Sequence, residues 1–107
     1  MKRFYLFCDN GMSTSLLASR MQKVADDHQL QIEVKAFSEK QMDVIISEFN
    51  PEVILLGPQV KHLLDKVNGK FGDKHVVSVI DSTDYGNVDG ERVLKKTIML
   101  YKERKQK

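Results

Sequence analysis

A second cysteine is missing from this sequence: Cys8 stands alone among 107 residues. No internal disulfide is possible, and nothing in the thiol content points to an oxidising compartment. Also missing is any apolar run near the roughly 18 residues that a membrane span needs. The short run after Met1-Lys2-Arg3 turns polar too early for a signal peptide. The chain is therefore expected to be cytoplasmic, with no direct insertion in a membrane. Charge of one sign is scarce as well. A formal net charge of +2 is too small to argue for nucleic acid, and no surface aromatics are interleaved to stack bases. The basic tail from Lys102 to Lys107 reads as cations complementing a helix C-terminus. No nucleic-acid partner is expected. His28, His62 and His75 are scattered without metal-ligand spacing and are expected at the surface. Neither a metal nor a cofactor is implied.

What is present is the ordinary composition of a globular protein, 41% hydrophobic and 30% charged, in one expected domain over residues 1–107. Phe4–Phe7 is a continuous apolar run, the mark of a strand buried on both faces. A helix is predicted from Ser13 or Thr14, with Leu17, Met21, Val24 and Ala25 facing the core. Leu30–Phe37 alternates apolar and polar residues, as an edge strand does. Ser38 and Gln41 have the spacing of a capping box, ahead of a helical stripe of Met42, Ile45, Ile46 and Phe49, which Asn50-Pro51 ends. Val53–Leu56 is a second doubly buried strand, closed by Gly57-Pro58. A third helix is predicted over Val60–Val67, ending near Asn68-Gly69, and a strand over Val76–Ile80. Residues 81–87 read as a loop rich in turn residues, and Val93, Leu94, Thr97, Ile98 and Tyr101 mark a last helix. The order βαβαβαβα gives an α/β fold: a four-stranded parallel sheet, order 2-1-3-4, flavodoxin-like, with helices on both faces.

Ligands of such sheets bind beyond the carboxyl ends of the strands where the order reverses, here between the first and third strands. Cys8 ends the first strand and Gly57-Pro58-Gln59 follow the third, so the two share one crevice. Asp81 and Asp84-Tyr85-Gly86 are expected at its far rim. The stretch Cys8-Asp9-Asn10-Gly11-Met12-Ser13-Thr14-Ser15 is a strand–turn–helix corner whose free backbone N–H groups favour an anion. Cys8 is thus the candidate carrier of a phosphoryl group, with the N–H groups of Asn10 to Ser15 and the hydroxyls of Ser13, Thr14 and Ser15 around it. A carboxylate at Asp9 repels phosphate, so its side chain is expected to point to solvent or to cap the turn. Met12 is either an exposed apolar side chain or a plug beneath the loop.

Spacing separates two chemistries. Protein tyrosine phosphatases of low molecular weight place Cys-x5-Arg-Ser/Thr after the first strand of a similar sheet, whereas position 14 here holds Thr14. Without that planar donor, hydrolysis loses its main source of transition-state charge stabilisation. The loop is suited to holding phosphate on sulfur. A receiver domain is excluded by Gly57 in place of an aspartate, and thioredoxin chemistry by the lone cysteine. A flavodoxin would need flanking aromatics, for which Tyr85 alone is available. A slow cysteine-dependent phosphatase and a non-catalytic binding or regulatory module remain as alternatives.

These residues are similar to a known family. Leu6-Phe7-Cys8, Gly11-Met12-Ser13-Thr14-Ser15-Leu16-Leu17, Leu55-Leu56-Gly57-Pro58-Gln59, Ile80-Asp81-Ser82, Tyr85-Gly86 and Val88-Asp89-Gly90 together resemble the IIB component of the bacterial sugar phosphotransferase system. The likeness is to its lactose/cellobiose group, closest to the cellobiose- or chitobiose-type members, and spans the whole chain. It implies a phosphotransferase whose Cys8 takes a phosphoryl group from a histidine of the IIA protein. The group then passes to a sugar, a β-linked disaccharide, held by the membrane IIC permease. Asp9, Asn10, Gly11, Met12, Ser13, Thr14 and Ser15 would form the phosphoryl-binding loop, with Gln59 and Tyr85 at the rim. Small residues are expected where this chain has Asp9-Asn10. The isolated protein is expected to be a monomer.

Overall fold

The computed structural model describes residues 1–9 and 12–105, and leaves the side chains of Met12 and Lys105 undescribed. Strand β1 (Lys2–Cys8) carries four consecutive large side chains, Phe4 to Phe7, all buried. Because strand side chains alternate, Phe4 and Leu6 pack on one face of the sheet and Tyr5 and Phe7 on the other. That run places β1 inside the sheet. It pairs in parallel with β2 (Ile32–Ser38) and with β3 (Val53–Leu56), and β3 pairs with β4 (Val76–Val79). The order β2-β1-β3-β4 is the one expected.

Helix α1 (Met12–Asp27) and helix α5 (Gly90–Lys105) cover the Phe4/Leu6 face, where Leu17, Met21, Ala25, Val93 and Leu94 join Val53 and Leu55. Helix α2 (Met42–Phe49) and helix α3 (Leu64–Phe71) cover the other, with Met42, Ile46 and Val67 against Ile54 and Leu56. The burial of long apolar side chains on both faces is the dominant stabilising term, about 1.5–3 kcal/mol for each fully buried Leu, Ile or Phe.

Several boundaries differ from the sequence reading. Ser38 caps a 3-10 turn, Glu39–Gln41, by accepting from the Lys40 N–H at 3.2 Å, and Gln41 makes no capping bond because it ends that turn. The third helix is preceded by a 3-10 segment, Pro58–Leu63, and runs through Asn68-Gly69 to Phe71. The expected loop after β4 contains a five-residue helix, α4 (Ser82–Gly86). Its cap is Asp81, whose carboxylate accepts from the N–H groups of Thr83 (2.9 Å) and Asp84 (3.1 Å). His28 and His62 are exposed as expected, but His75 is buried. Its Nδ1 lies 2.6 Å from the Pro51 carbonyl, to which it must donate, so a backbone acceptor beside β4 accounts for an interior histidine.

Candidate functional site

Cys8 ends β1 opposite Ser38 on β2. On its other side β3 stops at Leu56, the partner of Phe7, so the chain turns away at Gly57 beside the cysteine. The Gly57 N–H donates to the Phe7 carbonyl at 2.9 Å, which carries the ladder one residue past the strand. The approach is close. A β-carbon on Gly57 would lie 3.1 Å from that of Cys8 and 3.0 Å from the Gln59 Oε1. Cys8, Gly57 and Gln59 therefore meet at the switch point between β1 and β3. The cysteine is only 4% exposed, whereas Gln59 faces solvent.

Helix α1 begins at Met12, a residue or two earlier than its hydroxyls suggest. The N–H groups of the first three residues of an α-helix have no intrahelical acceptor, so those of Met12, Ser13 and Thr14 are the ones available to an anion. Ser13 and Ser15 are exposed, and Ser15 also lines an open depression between α1 and β2. Thr14 is fully buried. Its hydroxyl shares a 2.7 Å hydrogen bond with that of Tyr85 on α4, across 71 residues of sequence. Asp9 is exposed. Asn10, Gly11 and the Met12 side chain lie outside the described residues, so their expected placements have no structural counterpart.

The far side of the site is built by α4. Tyr85 is 9% exposed and reaches inward to Thr14, while Asp81 remains at the surface as the helix cap. Hydrogen bonds from the Asp84 and Thr83 backbone, with smaller help from Lys96 and Arg92, hold the Asp81 carboxyl below its ordinary range. The buried Asp84 carboxylate bonds Lys96 Nζ at 2.8 Å and Arg92 Nε at 2.9 Å, which locks α4 onto α5. Sequence reasoning missed this strut. Its signal was the Asp81-x-x-Asp84 spacing, an N-cap with an acid in the first helical turn. Arg20, the first arginine after position 14, is exposed and donates to the Val88 carbonyl at 3.4 Å.

The arrangement offers one thiol, a helix start that favours negative charge, and a buried hydroxyl pair behind it. Among the described residues, no group of three or more His, Cys, Asp or Glu is disposed to hold a metal ion. None of the described helices is long and apolar enough to cross a membrane.

Residues 3–96 match the family model described as the PTS system, lactose/cellobiose specific IIB subunit. The PTS system cellobiose-specific EIIB component of Lactococcus lactis subsp. lactis (strain IL1403) is 41% identical over 83% of this chain and 86% of that protein. The galactose-specific EIIB component of Lactococcus lactis subsp. cremoris (strain MG1363) is 40% identical over the same shares, 83% and 86%. The oligo-beta-mannoside-specific EIIB component of Bacillus subtilis (strain 168) is 29% identical over 94% and 96%. Among solved structures, the lactose-specific IIB domain of Streptococcus pneumoniae superposes with a TM-score of 0.79 at 12% identity, over 94% of this chain and 97% of the other. At that identity the likeness speaks for the fold. The cellobiose-specific IIB component of Borrelia burgdorferi gives 0.71 at 25% identity over 94% of each chain.

Proposed function

The chain belongs to the lactose/cellobiose-specific IIB family of the phosphotransferase system, and from that membership we propose that Cys8 is its phosphoryl carrier. The family acts in sugar-specific phosphoryl transfer. For this chain, the donor is a phosphohistidine of a IIA protein and the acceptor is a sugar held by a IIC permease at the cytoplasmic face of the membrane. The Cys8 thiolate attacks phosphorus in line. An S–P bond forms as the P–N bond breaks, and the histidine ring nitrogen keeps the electron pair. In the second step a sugar hydroxyl oxygen attacks phosphorus. The thiolate leaves, and the hydroxyl proton passes to a base outside this chain.

The observation that carries this reading is the position of Cys8 at the β1/β3 switch point, beside Gly57 and ahead of the α1 N-terminus. The hydroxyl bond between Thr14 and Tyr85 argues against the phosphatase reading. Position 14, where a phosphatase keeps its arginine, is buried and occupied. The sugar proposed is a β-linked disaccharide, in keeping with relatives named for cellobiose and oligo-beta-mannoside; another is named for galactose. Selectivity among sugars is assigned to the permease.

The deciding experiment supplies labelled phosphoenolpyruvate, the general phosphotransferase proteins and a cognate IIA. Acid-labile label should appear on the wild type and be absent from Cys8→Ser. Label that survives in Cys8→Ser overturns the assignment. Rapid hydrolysis of an aryl phosphate would favour the phosphatase instead.

A further inference from the structure

The structure assigns Tyr85 a positioning role in this transfer: its hydrogen bond to the buried Thr14 hydroxyl fixes the first turn of α1, the turn whose free N–H groups face the anion-binding end of the helix. This assignment rests on the carrier reading of Cys8. Three observations support it. The pair is desolvated, with Thr14 fully buried and Tyr85 9% exposed, so loss of either hydroxyl strands the other without water. The bond joins the reactive corner to a strut that has its own anchors, since Asp81 caps α4 and Asp84 ties it to Lys96 and Arg92 on α5. Finally, Thr14 spends its hydroxyl inward, so at position 14 the backbone N–H is the group left for the phosphoryl oxygens. Its direction is set by the turn that Tyr85 holds. Displacing such donors by a fraction of an ångström slows a reaction without abolishing binding.

Tyr85→Phe, Thr14→Val, Thr14→Ser and the double variant Tyr85→Phe/Thr14→Val separate this role from mere packing. With labelled phospho-IIA as donor, Tyr85→Phe and Thr14→Val should each lower kcat on the order of tenfold, with KM changed less than about twofold. The double variant should be no slower than the worse single one, and Thr14→Ser should restore most of the rate. Amide exchange provides a readout that does not require phosphorylation. Protection at Ser15 to Leu17 should fall in Tyr85→Phe, while Phe4 to Phe7 keep theirs. Wild-type kcat in Tyr85→Phe, or losses that multiply in the double variant, would overturn the positioning role. Unchanged exchange at the start of α1 would do the same. Failure of the wild type to take label would instead sink the carrier reading, and the exchange comparison would still decide whether Tyr85 orders the turn.

Discussion

Gly57 stands so close to Cys8 that one added carbon would bring their β-carbons within 3.1 Å. The Gly57 backbone, at φ −64° and ψ 153°, suits any residue, so the constraint here is space. Gly57→Ala should fold, lose about 1–2 kcal/mol through overpacking, and slow labelling of Cys8 more than that loss explains. Two other glycines calibrate the result. A β-carbon on Gly90 would lie 2.7 Å from the backbone of Arg20 and Met21, whereas one on Gly69, inside α3, meets nothing within 4 Å. Gly90→Ala should cost at least about 2–3 kcal/mol. Gly69→Ala should add roughly 0.5–1 kcal/mol from helix propensity. Denaturant midpoints of the three variants, with labelling rates for the first, check the ranking.

At the edge of the sheet, the Gln22 carboxamide does the work of a neighbouring strand. Its Nε2 donates to the Ile32 carbonyl at 2.8 Å, and its Oε1 accepts from the Val34 N–H at 2.8 Å. Edge strands with unpaired backbone groups invite association. Gln22→Ala should lower stability by about 1 kcal/mol and raise amide exchange at Val34. It should also increase self-association at high concentration, read by sedimentation. An unchanged Val34 exchange rate would contradict this account.

Much of this architecture could be read from local pattern. The apolar run Phe4–Phe7 required burial on both faces, which put β1 inside the sheet, and the alternation from Leu30 to Phe37 put β2 at an edge. Together these placed Cys8 beside Gly57 and Gln59. The features that escaped are long-range and depend on single partners. Nothing in sequence pairs Thr14 with Tyr85, or turns His75 inward to the carbonyl of Pro51. Residues 81–87 read as a loop because turn formers and helix caps are the same residue types, and only the Asp81 contacts tell them apart.

The Tyr5–Glu33–Arg3 cluster gives stability a defined pH dependence. Tyr5 Oη donates to Glu33 Oε1 at 3.0 Å, and Arg3 Nε lies 3.6 Å from Oε2. Burial raises the Glu33 carboxyl, but the hydrogen bonds from Tyr5 and Lys35 and the charges of Lys35 and Arg3 outweigh it and hold the group below its ordinary 4.5. A lowered carboxyl stabilises the fold above its unfolded value and loses that contribution as pH falls through the folded one. The gap in stability between wild type and Glu33→Gln should therefore be full near neutral pH, about 1 kcal/mol, and should close below 4.5. Burial first, then Glu33, pushes Tyr5 from 10.0 up to about 12. For this raised group the sign is opposite: its contribution is intact below 10.0 and is lost as pH rises through about 12. Absorbance titration against Tyr5→Phe should show the Tyr5 midpoint lower in Glu33→Gln, yet still above 10.0.

The buried Asp84 carboxylate tests whether the strut behind the site is electrostatic. Its side chain is 5% exposed, while those of Lys96 and Arg92 are 47% and 62% exposed. Removing the carboxylate lets both cations return to water; removing both cations strands a charge in the interior. The two losses should therefore be unequal. Lys96→Met with Arg92→Met should cost on the order of 3–5 kcal/mol, as breaking a buried pair does, and Asp84→Asn should cost less. Adding Asp84→Asn to the doubly neutralised protein should recover much of the loss, because no buried charge is then left unpaired. Guanidinium unfolding of the four proteins measures the cycle. Additive losses would mean that α4 is held by Tyr85 and the core alone. A recovery of stability accompanied by a recovery of Cys8 labelling would tie the strut on α5 to the chemistry at the end of β1.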